Sequence, residues 1–291
     1  MKNKISIGTA QFGLNYGISG GTQVSNLEAK NILELGIKNN IVTVDTAFNY
    51  GNCHSILGDI GIKNKNEIIT KLPEIPLDAN INIENWIFDK ISSALKDLKI
   101  EVLHGVLLHR PAQLLLVEGE KIYNALRKLK SSGLVNKIGI SIYEPSELDD
   151  LIPRFNFDIV QSPFSIFDQR LIESGWLNTL NRLNIEIHVR SIFLQGLLLF
   201  KKERPKKFDR WADLWQEWDN YLINSNKSAL ENCLQFVYSQ EKVHKIIIGI
   251  DSYKQFSEIL NINFSSENIN PKKFNIKEMN LLVNPSKWEQ L

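Results

Sequence analysis

Short β-branched runs alternate along this chain with longer stretches in which apolar residues return every three or four positions. Residues 5–9 alternate in polarity and read as a first strand. Residues 27–39 carry Ala29, Ile32, Leu33, Leu35 and Ile37 as a helical stripe, with Ser25 and Asn26 placed to cap its start. The run 41–44 is a buried strand ending at Asp45, and 67–71 is another, stopped by Pro73. A helical period covers 83–98, and 102–108 is a strand running into His109, Arg110 and Pro111. The helix predicted over 121–130 stops at Gly133. The alternation continues with a strand at 137–141, a short helix from Pro145 and Ser146 through Leu151, and a strand at 158–161. Helix 171–183, strand 186–191, helix 228–240, strand 245–248 and helix 253–260 complete it.

Eight strands, each followed by a helix or a loop leading to one, favour a parallel sheet with right-handed crossovers. That count matches an α/β fold of the closed (β/α)8, or TIM, barrel type, which takes roughly 250 residues. An open doubly wound sheet would carry a G-x-G-x-x-G turn, whereas the glycines at Gly8 and Gly13 have the wrong spacing. No linker rich in Pro or Ser interrupts the chain, so residues 1–291 are expected to form one domain. Two segments exceed what a barrel needs. Residues 201–226, after strand seven, open with Lys201, Lys202, Arg204, Lys206 and Lys207. They continue with Trp211, Leu214, Trp215, Trp218 and Leu222 on one helical face. That single apolar face, in a helix expected over 210–221, favours docking over a free lid. A tail follows at 264–291.

A net charge of +1 gives no support for nucleic acid or an anionic membrane as partner. Cys53 and Cys233 form no C-x-x-C pattern, so neither a disulfide framework nor a cysteine metal site is expected. The first residues are too polar for a signal-peptide core, and no apolar run approaches a membrane span, so a cytoplasmic location is expected.

Candidate chemistry sits at successive strand ends: Asp45 and Tyr50, then Lys71, then His109. In a parallel barrel these ends converge on one mouth. The set suits protonation of a carbonyl oxygen while hydride arrives at its carbon. A phenol, with an ordinary pKa near ~10, is a reluctant acid. An ammonium at Lys71 would stabilise its phenolate, Asp45 would hold that ammonium, and His109 would orient the carbonyl. Cys53 and His54 are adjacent, with no third ligand evident, so no metal is expected.

Asp45-Thr46-Ala47, Tyr50-Gly51 and Leu57-Gly58 closely resemble the site motif of the aldo-keto reductases. Lys71 and His109, each closing a strand, resemble that family's lysine and histidine strands, and the match runs from Gly8 and Thr9 to Gly249. The resemblance implies Asp45, Tyr50, Lys71 and His109 as a catalytic tetrad, a nicotinamide cofactor, NADP or NAD, and no metal. It implies Gly8 and Thr9 as cofactor-binding residues and Ser141 and Gln161 as ligands of the carboxamide, although Ile142 stands where Asn is common. Arg190 and Ser191 fall where the nicotinamide ring is flanked, and Gln195 and Gly196 where a loop follows the pyrophosphate. Gly249, Asp251, Ser252 and Gln255 fall in the adenosine-phosphate region. Gln255 replaces the expected Arg, and with Asp251 it weakens the family's preference for NADP. The expected substrate is a small carbonyl compound or alcohol, a sugar among the candidates. A catalytically weak cofactor-sensing or partner-binding barrel is the alternative, and a Schiff-base lyase using Lys71 is a third reading.

Overall fold

The computed structural model describes residues 2–18, 20–62, 66–78, 81–201, 203–264, 274, 276 and 278–291. Lys202 of the basic leader, and 265–273, 275 and 277 of the expected tail, lie outside the described residues. Eight strands follow one another: β1 (Ile5–Gly8), β2 (Thr43–Asp45), β3 (Glu67–Leu72), β4 (Leu103–Leu108), β5 (Val135–Ser141), β6 (Ile159–Pro163), β7 (Glu186–Arg190) and β8 (Lys245–Gly249). Each pairs in parallel with the next, and β8 pairs with β1, so the sheet closes into a barrel with helices between the strands. Strands covered on both faces need apolar side chains on both, which is why they read as continuous β-branched runs.

The register aligns the strand ends. Gly8 lies beside both Asp45 and Gly249, Ser141 beside Gln161, and Pro163 beside Arg190. Ile69, Leu107 and Ile159 fill the barrel interior as a separate buried cluster, so the barrel is a packed core closed below its mouth.

Most bounds shift by no more than two residues, and three differences have a local cause. The helix predicted over 171–183 is two pieces, Arg170–Glu173 and Trp176–Arg182, because Gly175 between them has a φ of 79°. Strand seven stops at Arg190, since Ser191 turns to a φ of 61°. The tryptophan helix spans Ala212–Ser225 and is entered through a 3-10 turn, Lys206–Trp211.

That insert is docked, as its apolar face implies. Trp218 is fully buried, stands edge-on to Phe167, stacks on Tyr221, and donates its indole N–H to the Leu198 carbonyl at 3.2 Å. Trp215 stacks on Phe167 and donates to the Phe208 carbonyl at 2.8 Å. Trp288 of the tail packs against Phe208, so tail and insert cover one another. Trp218→Ala should therefore cost ~3–5 kcal/mol of stability, read from thermal or urea unfolding. An unchanged unfolding midpoint would show that the insert is not part of the packed structure.

Candidate active site

Asp45 is the last residue of β2, and the loop behind it is pinned to β3. Thr46 N–H donates to the Ile69 carbonyl at 2.8 Å, and Phe48 N–H to that of Lys71 at 3.2 Å. Tyr50 follows a turn closed by its own N–H onto the Ala47 carbonyl, and its carbonyl accepts from the first residue of the helix Cys53–Ile60. The loop lies directly on Gly13, where an added Cβ would fall 1.8 Å from the Tyr50 carbonyl oxygen. A side chain at position 13 would push Tyr50 off its seat, so the second glycine that broke the open-sheet pattern has a steric reason to be there. His109, just past β4, is held by its N–H on the Leu72 carbonyl at 3.1 Å.

The side chains meet at the mouth. The Lys71 ammonium donates to Asp45 Oδ1 at 2.5 Å and to the Thr46 carbonyl at 3.2 Å. Both charged residues are buried, at 1% and 2% exposure, so each requires the other. Asp45 Oδ2 accepts from the Gln161 amide at 2.7 Å, and the Ser141 hydroxyl donates to Gln161 Oε1 at 3.2 Å. The Lys71 Nζ lies 5.2 Å from the centre of the Tyr50 ring, and the rings of Tyr50 and His109 meet nearly perpendicular at 6.5 Å.

Burial and the Asp45 charge push the Tyr50 phenol well above its ordinary range, with Arg190 opposing them. This is the reverse of the lowering expected from Lys71, whose charge is already engaged by Asp45. Burial also lowers the Lys71 ammonium against the pull of Asp45. Burial, and then the positive charges of Lys71, Arg190 and Arg110, bring the His109 imidazole down to about 3. It is therefore neutral at physiological pH, and its buried Nδ1 has no hydrogen-bond partner among the described residues.

These residues open into a cavity of about 620 Å³, within the range of cofactor sites. Among the residues expected to hold a cofactor, Gly8, Thr9, Gln161, Arg190 and Ser191 line it. Gln195, Gly196, Gly249, Asp251 and Gln255 line it as well. Ser141 and Ser252 do not: Ser141 lies buried behind Gln161, and Ser252 caps the helix Tyr253–Leu260 by accepting from the Gln255 N–H at 3.2 Å. The Arg190 guanidinium donates to the Ile142 carbonyl at 2.9 Å and the Ser191 hydroxyl at 3.2 Å, and lies 4.8 Å from the centre of the Tyr143 ring. None of these is a carboxylate, so its charge is left to act on the mouth.

The model of the Aldo/keto reductase family matches residues 4–276. The chain belongs to the aldo/keto reductase family. Among curated proteins it is similar to 6-dehydroglucose reductase of Agrobacterium fabrum (strain C58 / ATCC 33970), 23% identical over 231 residues, covering 74% of this chain and 70% of that protein. Among solved structures, the holo form of aldo-keto reductase AKR11C1 from Bacillus halodurans superposes with a TM-score of 0.70 at 18% identity, covering 91% of this chain and 89% of that one. Glycerol dehydrogenase AKR11B4 from Gluconobacter oxydans gives 0.68 at 19% identity, covering 91% and 88%.

This aldo/keto reductase builds its mouth partly from residues that pattern reading missed. Gln11, Tyr16, Tyr143, Phe193, Pro285 and Ser286 all line the cavity. Tyr16 accepts from the Gln195 side chain at 3.2 Å, and the Ile18 N–H donates to the Gln195 carbonyl at 3.3 Å, so the β1 and β7 loops close on each other. Cys53 and His54 face away from the cavity. The Cys53 thiol donates to Thr9, and His54 shares a hydrogen bond with Thr70 at 2.9 Å, its pKa lowered by burial to about 4. Among the described residues, no group of three or more His, Cys, Asp or Glu could hold a metal, and no helix is long and apolar enough to cross a membrane.

Proposed function

We propose that this chain, as one domain over residues 1–291, is a cytoplasmic nicotinamide-dependent oxidoreductase. It interconverts a small carbonyl compound and its alcohol, with Tyr50 as the proton donor on reduction. The observation that carries this reading is the buried Lys71–Asp45 pair beside Tyr50 and a neutral His109 at the end of an elongated cavity. The relatives named as a 6-dehydroglucose reductase and a glycerol dehydrogenase support a sugar or polyol derivative as substrate.

The cavity's chemistry fits a dinucleotide. Among the described residues, its walls offer buried polar atoms without partners at Gln11 Oε1 and His109 Nδ1, an Arg190 cation without a carboxylate, and the Gln195–Gly196 backbone along one side. NAD or NADP supplies the hydride when bound. Gly8, Gln161, Arg190 and Gly196 are the residues proposed to hold it. His109 presents a neutral imidazole to the substrate oxygen and fixes its direction. The raised pKa of Tyr50 keeps the phenol protonated until substrate is seated. When its proton moves to the oxygen, the phenolate is left beside Lys71, held in place by Asp45, and within the field of Arg190. Both cations stabilise the charge as it develops.

The test follows tryptophan fluorescence while NADPH and NADH are added in turn, since six tryptophans make quenching easy to read. Nicotinamide oxidation is then measured with aldoses, ketoses and short polyols. Saturable binding with turnover of one of these classes is expected. Absence of binding by either cofactor would overturn the reading.

A further inference from the structure

The cavity is lopsided. The ends of β2 and β3 lend it Asp45 and Lys71, and the loops after β2 and β4 lend it Tyr50 and His109. Most of the remaining wall comes from the loops after β1, β7 and β8 and from the tail. A ligand with its reacting end at Tyr50 has room to extend only toward the β7, β8 and β1 loops. On the nicotinamide reading above, its adenosine half lies beside Gly249, Asp251 and Gln255, against the start of the helix Tyr253–Leu260.

A helix start normally offers free N–H groups and a partial positive charge to a phosphate. Here the donors at Tyr253 and Gln255 are already taken, leaving that of Lys254 between them. The Tyr253 N–H donates to Glu28 Oε1 at 2.6 Å, the Gln255 N–H to Ser252 at 3.2 Å, and the Asp251 N–H to Gln255 Oε1 at 2.8 Å. Glu28 reaches this point from another element: it stands in the first turn of the helix Asn26–Lys38, anchored by its own N–H on the Ser25 hydroxyl. Asp251, on the cavity wall, is a second carboxylate whose pKa is raised by burial. Lys254 is the one cation in 249–255, and its side chain is exposed.

We infer that Glu28 selects NAD(H) over NADP(H). A ribose hydroxyl can donate to the carboxylate, as acidic residues at dinucleotide sites do. A phosphate at the same place meets the charge of Glu28 with that of Asp251 nearby, and the Tyr253 and Gln255 N–H groups that would replace the water it gives up are already engaged. Glu28 lies outside every motif used to read the cofactor site, because it comes from the first helix and not from the β8 loop.

The test is equilibrium titration of the full chain with NADH and NADPH, followed by fluorescence, for wild type and Glu28→Gln. The amide keeps an acceptor for the Tyr253 N–H and removes only the charge. Wild type should bind NADH at least about tenfold more tightly, a difference of ~1.4 kcal/mol. Glu28→Gln should shrink that ratio about tenfold, chiefly through tighter NADPH binding, with the unfolding midpoint unchanged. Equal or tighter NADPH binding by wild type would overturn the inference while leaving the nicotinamide reading intact, and so would an unchanged ratio in Glu28→Gln. Binding of neither cofactor would remove the reading on which it rests.

Discussion

Replacing Tyr50 with Phe should lower the rate of carbonyl reduction by about 10²–10⁴-fold and leave the cofactor titration unchanged. The ring keeps its seat, because the Tyr50 backbone is fixed by the Ala47 turn and by contact with Gly13. Only the hydroxyl is lost, and with it the proton donor. The direction of the pKa shift adds a second signature. Burial and Asp45 hold the phenol above the ordinary tyrosine range, so the free enzyme stays protonated throughout the neutral and mildly alkaline region. Reduction, which needs the protonated form, should show no alkaline fall at the pH where an exposed tyrosine titrates, whereas alcohol oxidation, which needs the phenolate, should climb with pH. His109 imposes no limb near neutrality, since its positive neighbours and burial keep it uncharged until pH falls to about 3. Retention of wild-type turnover by Tyr50→Phe would end the case for this residue as donor.

An effect on folding as large as that of Trp218→Ala is expected from Lys71→Met. The substitution removes the ammonium from an Asp45 carboxylate that is 2% exposed, leaving Gln161 as its charge-neutral partner. An uncompensated buried charge costs ~3–5 kcal/mol, a large part of the stability of an ordinary domain. The companion Asp45→Asn, in the same background, should return most of that loss, because it removes the orphaned charge as well. Urea unfolding of the two single variants and the double completes a cycle. Losses that simply add would mean that the pair is not coupled in the folded state, and the buried ion pair would lose its role as the scaffold of the site. The double variant should still lack activity, which separates its folding from its chemistry.

The barrel was legible because each strand is buried on both faces and must therefore be a short apolar run, and because the helices between carry stripes at three and four. The tetrad was legible for a related reason. Asp45, Lys71 and His109 stand at the ends of such runs or one residue past them, so locating the strands located the chemistry. What was not legible depended on side chains meeting from distant parts of the chain. Tyr16 meets Gln195, Glu28 meets Tyr253, and Pro285 and Ser286 of the tail reach the mouth, and no local period encodes any of these. Gln161 illustrates the same limit within the motif itself. Its place in β6 was readable, but its hydrogen bond to Asp45, 116 residues earlier, was not. The split at Gly175 shows how a single left-handed glycine interrupts an otherwise helical pattern. The pKa of Tyr50 ran opposite to expectation because the sequence revealed the cation near it but not the depth at which both groups sit.

The bond between Gln161 and Asp45 joins two stretches of chain with different duties. The acid–base side chains come from residues 45–109, whereas much of the elongated wall comes from residues 190–286. Loops in the second stretch can therefore accumulate substitutions that reshape what the cavity accepts while the proton-handling side chains stay untouched. A hybrid chain combining the early units of this protein with the late units of a relative would make that separation visible, and position 161 marks the seam. There the incoming half would have to supply an amide at 2.7 Å from Asp45 Oδ2, or accept a carboxylate held by Lys71 alone.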